Sequence, residues 1–132
     1  MFKKTFIPRK SEENRTGHIR SDVITIWLQE GSIDIFRMFN PDFRREPQLI
    51  MVSLKVDFMN EVLFGDNVEV STWVKSISNS SFVLQQNVYQ KEYLCATGLS
   101  TFVHLNYATH KSEVIPNPIR HMLAEHLLTD AS

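Results

Sequence analysis

The hydrophobic period of this chain changes once, from 3.6 residues before Met38 to 2 residues after Leu49, and that change limits its fold more than any other feature. Residues 21–38, SDVITIWLQEGSIDIFRM, read as one helix of about 27 Å. Val23, Ile26, Trp27 and Ile33 cover a wide apolar arc, opposite a polar strip of Asp22, Thr25, Gln29 and Ser32. Beyond the helix, Val52, Leu54, Val56 and Phe58 alternate with Ser53, Lys55 and Asp57, as in a half-buried strand. A second alternation follows through Val68, Val70, Thr72 and Val74, and Ser78-Asn79-Ser80 reads as a hairpin. The next run sets Phe82, Leu84 and Val88 on one face and Val83 and Tyr89 on the other; residues 93–106 make a long last strand. Residues 2–9 add a first strand near an edge, closed by Pro8. Residues 39–47, with Pro41 and Pro47, read as a packed crossover rather than a lid. Pro116 and Pro118 open a short amphipathic helix with Ile119, Met122, Leu123 and Leu127 on one side.

Strands joined by tight turns form an antiparallel sheet, and a single sheet must bury one face against something. The helix at 21–38 is the only long one on offer. An α+β fold is therefore expected, a curved five-stranded antiparallel sheet wrapped around one long central helix, as a single domain over residues 1–132. The opposite sheet face carries Trp73, Val83, Tyr89, Tyr93, Leu99 and Val103, which is much apolar surface to leave wet, so self-association as a dimer or tetramer is expected. A formal net charge of −1 argues against a nucleic-acid or anionic-membrane partner. One cysteine, Cys95, fits a reducing compartment, and no run approaches a membrane span or a signal peptide, so a cytoplasmic protein is expected.

Glu30 carries the chemical interest. Counted around the helix it falls in the apolar arc, after Ile26 and Trp27, and a carboxylate held there would be desolvated, as working acids and bases often are. The competing role is structural, an ion pair of Glu30 and Asp34 with Arg37 or another cation. Immediately upstream, Asn14-Arg15-Thr16-Gly17-His18-Ile19-Arg20 makes a polar turn ending at Ser21, which reads as an N-cap. Such a turn aims backbone N–H groups at the positive end of the helix dipole, a setting that favours an anion. Four other histidines, His104, His110, His121 and His126, are scattered, a single cysteine permits no cysteine-based zinc pattern, and the four glycines form no phosphate loop.

Gly17-His18-Ile19, Glu30, the strand Leu54-Lys55-Val56-Asp57-Phe58 with Phe64-Gly65-Asp66, Ala96-Thr97-Gly98 and Pro116-Asn117-Pro118 follow one another in an order that resembles the hot-dog fold. In particular they resemble its 4-hydroxybenzoyl-CoA thioesterase-like branch, over nearly the whole chain. The resemblance implies an acyl-CoA thioesterase, with CoA as part of the substrate and no further cofactor or metal. The substrate is an acyl-CoA or acyl-carrier thioester whose pantetheine arm runs between subunits. It also implies a departure: the family places a catalytic aspartate three residues before the glycine, and this chain has Asn14 there. On this reading the acid–base work moves to Glu30, as general base for water or as nucleophile, and Asn14 orients water or the thioester carbonyl. Gly17, His18 and Ser21 then form the substrate and oxyanion site. The alternatives are a non-catalytic acyl-thioester binder or structural hot-dog subunit and, using His18 with Glu30, a hydratase or dehydratase.

Overall fold

A computed structural model of the protein describes residues 1–40 and 48–128; the crossover expected at 39–47 lies largely outside them. The strands are β1 (Phe2–Phe6), β2 (Leu49–Phe58), β3 (Val68–Ile77), β4 (Ser81–Gln90), β5 (Tyr93–Asn106) and the two-residue β6 (Lys111–Ser112). Five of them pair antiparallel in the order β1-β3-β4-β5-β2, and β6 adds to the end of β5. The alternation is cleanest in β4, where Phe82, Leu84, Gln86, Val88 and Gln90 point inward and are buried. Bulges at Met51/Ser53, Val74/Ser76 and Val88/Tyr89 interrupt the ladders, and each extra residue adds local twist, which curls the sheet.

β1 is an edge strand, as expected, and β2 is the other edge. There the expectation of half burial fails, because nearly all of β2 is exposed on a single chain. The Met51/Ser53 bulge also moves Val52 out of the alternation, so that Met51, Leu54, Val56 and Phe58 sit opposite Phe102, Ser100, Gly98 and Ala96 of β5. The helix packs toward β3 and β1; Leu49 and Val56 of β2 pack against the core, while Leu54 and Phe58 stay exposed.

The expected single helix is two helices, α1 (Ser21–Gly31) and α2 (Ile33–Phe39), with a bend at Ser32. The bend has a specific cause. The Ser32 N–H bonds the carbonyl of Gln29 instead of Leu28, and Ile35 and Phe36 both turn to the carbonyl of Ser32. The orphaned carbonyls are satisfied from the sheet and from Ser32 itself. Leu28 O accepts from Gln86 Nε2 at 2.8 Å and from Ser32 Oγ at 3.0 Å, and Gly31 O accepts from Thr72 Oγ1 at 3.2 Å. Gly31 permits this close approach: a Cβ there would stand 3.0 Å from Val70 Cγ1 and 3.2 Å from Gln86 Nε2.

This polar layer divides the interior. On one side lie Val23, Ile24, Trp27, Leu28, Val68, Val70 and Val88, and on the other Ile35, Val74, Phe82, Leu84, Phe102, Ile115 and Leu123. The last of these belongs to α3 (Asn117–Ala124), which the double proline opens as expected. α3 closes the second compartment, and Arg120 donates to the carbonyls of Ser78 and Asn79 at 2.9 Å each. Among the described residues no helix is long and apolar enough to cross a membrane.

Candidate active site

Residues 14–18 form a loop organised by one side chain. Asn14 Oδ1 accepts from the N–H of Thr16 at 3.0 Å, the N–H of His18 at 3.1 Å and the Thr16 hydroxyl at 2.7 Å. Gly17 adopts φ +83°, a backbone conformation glycine takes at little cost. The loop is then laid against residues 61–63: Ile19 N–H donates to Val62 O at 2.8 Å, and His18 pairs with Leu63. This strapping brings Glu61 to His18, with Oε2 2.7 Å from Nε2.

The hydrogen bonds define where protons sit. Two backbone N–H groups fix the acceptor end of the Asn14 amide, so the Thr16 hydroxyl must donate to it. Thr16 Oγ1, 3.1 Å from His18 Nδ1, is then left to accept the Nδ1 proton. His18 therefore presents Nε2 to Glu61, and the pair either joins a doubly protonated ring to a carboxylate or shares one proton.

Asn14, His18 and Ser21 line one cleft of about 550 Å³ with Ile24, Phe58, Met59, Asn60 and Glu61. Gly17, within the same loop, shapes the turn. Ser21 is not the N-cap: Arg20 holds that place without a side-chain cap bond, and Ser21 is the first helical residue. The carbonyl of Arg20 takes the N–H groups of Val23 and Ile24. Those of Ser21 and Asp22 bond no acceptor among the described residues and stand at the positive end of α1. A cleft of similar volume on the convex sheet face, lined by Lys3, Glu69, Trp73 and Tyr89, is remote from these groups, and its Lys3 and Glu69 pair at 3.6 Å.

Glu30 does not join this cluster. It is exposed, near the other end of α1, about 13 Å along the axis from Ser21. The buried face of α1 is Val23, Ile24, Trp27, Leu28 and Gly31, rotated from the expected one, and Ile26 is 50% exposed. The reason lies at Gly31, which sits against Val70 and Thr72 of β3 with no room for a side chain. Turning the glycine to the sheet carries Glu30 to the open edge of the helix, and the expected desolvation is absent on a single chain. Nor does Glu30 pair with Arg37, which lies 3.8 Å from Asp34.

Sequence reading missed Thr16 and Glu61. Thr16 lay inside a turn already singled out. Glu61 is 43 positions from His18 in a stretch with no motif, so only the strand pairing that brings 61–63 to 18–19 exposes the contact.

A curled antiparallel sheet around a bent helix, with a short C-terminal helix, is the hot-dog fold. The sequence pattern of the thioesterase-like superfamily matches residues 8–123, and the chain belongs to that superfamily. It is similar to a predicted thioesterase from Bacillus stearothermophilus, at 33% identity and TM-score 0.92 over 97% of both chains. A thioesterase from Thermus thermophilus, complexed with coenzyme A and Zn, is 22% identical, with TM-score 0.83 over 92% of this chain and 96% of that one. The protein SAV2348 from Staphylococcus aureus, in complex with CoA, is 14% identical, with TM-score 0.85 over 97% and 86%. No curated protein matches the chain.

Proposed function

We propose that this protein hydrolyses an acyl-CoA thioester to free acid and thiol in the cleft at the N-terminus of α1. The observation that carries the reading is the meeting, in one cleft of a thioesterase-superfamily chain, of the helix N–H group of Ser21 left over by the fold, with that of Asp22 next to it in the chain, an imidazole and a carboxylate. The N–H groups of Ser21 and Asp22 receive the thioester oxygen as it becomes an oxyanion, where fixed donors contribute most. Ile24, Phe58 and Met59 offer apolar surface to the acyl group. Asn14 Oδ1 is committed to the loop, so only its Nδ2 group is left to meet substrate or water. CoA complexes of two structural relatives support a CoA thioester over other esters.

The exposed edge of β2, with Leu54 and Phe58 uncovered on the concave side, supports self-association. Glu30 reaches the cleft only if a second chain supplies it. As the base of the reaction it is an interfacial residue or none.

Ser21→Pro tests the oxyanion site without breaking the helix, since proline is accepted at the first helical position while removing one N–H donor. Thiol release from a panel of acyl-CoAs should fall about 100-fold at an unchanged melting temperature. A second reading, a non-catalytic acyl-thioester binder, is favoured by Asn14 at the position of the family's aspartate. Acyl-CoA binding with no thiol release by the parent protein would establish it, and hydration of enoyl-CoA would instead establish a hydratase.

A further inference from the structure

We infer that Glu61 is the working carboxylate of the cleft, taking the proton of the attacking water through Oε1 while Oε2 holds His18; this rests on the thioesterase reading above. The assignment follows from elimination on geometry. Among the described residues, the carboxylates near the loop are Glu12, Glu13, Asp22 and Glu61. Glu12 Oε1 is bound to the N–H of Arg9 at 2.7 Å. Glu13 lies 2.8 Å from Lys10 Nζ, and Asp22 pairs with Arg20 at 3.1 Å. Glu61 alone of the four lines the cleft. Among the described residues its carboxylate meets one polar partner, His18, so one oxygen is anchored and the other is available.

Its backbone is fixed on both sides. Asn60 Nδ2 donates to Leu94 O at 2.8 Å, the Asn60 N–H donates to Cys95 O at 3.1 Å, and Val62 O receives Ile19 N–H at 2.8 Å. The carboxylate is thus mounted on a strapped segment opposite the helix mouth, although its side chain is 66% exposed on a single chain. His18 is in turn held by Thr16 at Nδ1, so the ring cannot swing away from Glu61 without breaking its bond to the Thr16 hydroxyl, which Asn14 Oδ1 fixes in place.

Water oxygen bonds to the thioester carbon as one water proton passes to Glu61 Oε1, and the carbonyl electron pair moves onto oxygen, facing the N–H groups of Ser21 and Asp22. The oxyanion then reforms the carbonyl and the C–S bond breaks. The proton held by the Glu61–His18 pair passes to the departing sulfur, which restores both residues and leaves acid and thiol.

The experiment compares parent, Glu61→Gln, Glu61→Asp and Glu30→Gln in single-turnover and steady-state thiol release, with an imidazole 15N spectrum of each. Glu61→Gln should lower kcat at least 100-fold while KM stays within about threefold, because the amide can still meet His18 but cannot accept the proton. Glu61→Asp should recover about tenfold of that loss, and Glu30→Gln should change kcat less than threefold. The His18 Nε2 resonance should move in Glu61→Gln, a readout that does not depend on turnover. Parent turnover with Glu61→Gln within threefold of it would overturn this assignment and leave the thioesterase reading standing. A large loss in Glu30→Gln alone would transfer the role to Glu30. A parent that releases no thiol overturns both.

Discussion

The side-chain amide of Gln86 donates a 2.8 Å hydrogen bond to the backbone carbonyl of Leu28, 58 positions away in sequence, and a 3.0 Å bond to Thr72 Oγ1. Gln86 is buried at the floor of the curled sheet. It caps a carbonyl that the bend in the helix leaves without its usual partner. Gln86→Leu keeps the approximate volume and removes the donor, leaving Leu28 O with Ser32 Oγ alone and taking from buried Thr72 Oγ1 the bond it accepts. Stability should fall by about 1–3 kcal/mol, measured by urea unfolding. Gln86→Glu should be worse, since it buries a charge against a carbonyl.

Gly31 should tolerate very little. An added methyl would meet Val70 Cγ1 at 3.0 Å in a fully buried setting. The helix propensity of alanine offsets part of that clash by about 1 kcal/mol. Gly31→Ala is therefore expected to cost at most about 1–2 kcal/mol, and Gly31→Val more than about 2 kcal/mol. Thermal unfolding of the pair checks the order.

The exposed edge of β2 predicts a quaternary effect. Leu54 and Phe58 are 39% and 51% exposed on an edge strand. In sedimentation equilibrium the parent should behave as a dimer or larger. Leu54→Glu should give monomers of unchanged secondary structure. A monomeric parent at 50 µM or above (roughly a millimolar-range self-affinity or weaker) would remove the interface.

His126 should make stability pH-dependent. Burial lowers its basicity, and the amino group of Met1, 2.7 Å from Nδ1, lowers it further; Glu125 and Asp34 pull the other way. A histidine with folded-state pKa below its ordinary 6.5 prefers to be neutral in the fold. Its contribution is then present above pH 6.5 and lost as pH falls through and below that value. The Tm difference between the parent and His126→Asn should shrink on going from pH 8 to pH 5.

Cys95 should be slow to react. It is 1% exposed, and burial pushes its thiol up, with a backbone hydrogen bond from Gln90 offsetting part of the shift. Ellman's reagent at pH 8 should label it at least 100-fold more slowly in the native protein than in denaturant.

Most of the fold was legible because its signals are local. Alternation placed β3, β4 and β5, prolines marked β1 and α3, and the single long apolar helix demanded a wrapping sheet. Two things were not. Apolar residues at 23, 24, 26, 27 and 28 surround most of α1, so their pattern does not say which side faces the sheet. Gly31 decides it, because Val70 fills the space a side chain there would need, and no periodicity encodes that. Of the residues lining the cleft, Asn14, His18 and Ser21 could be singled out beforehand because they are neighbours in sequence, whereas Glu61 arrives through pairing between distant segments.

The Thr72–Gln86–Ser32 layer works as a bulkhead across the barrel. The cleft at the mouth of α1 opens over the compartment of Ile24, Trp27 and Val70, while α2 and α3 rest on Phe82 and Phe102. Substitutions in the cleft-side half that do not touch this layer should leave the half beyond it undisturbed, since distant substitutions with no shared neighbours add rather than couple. A chain built in this way can remodel its cleft while keeping its foundations.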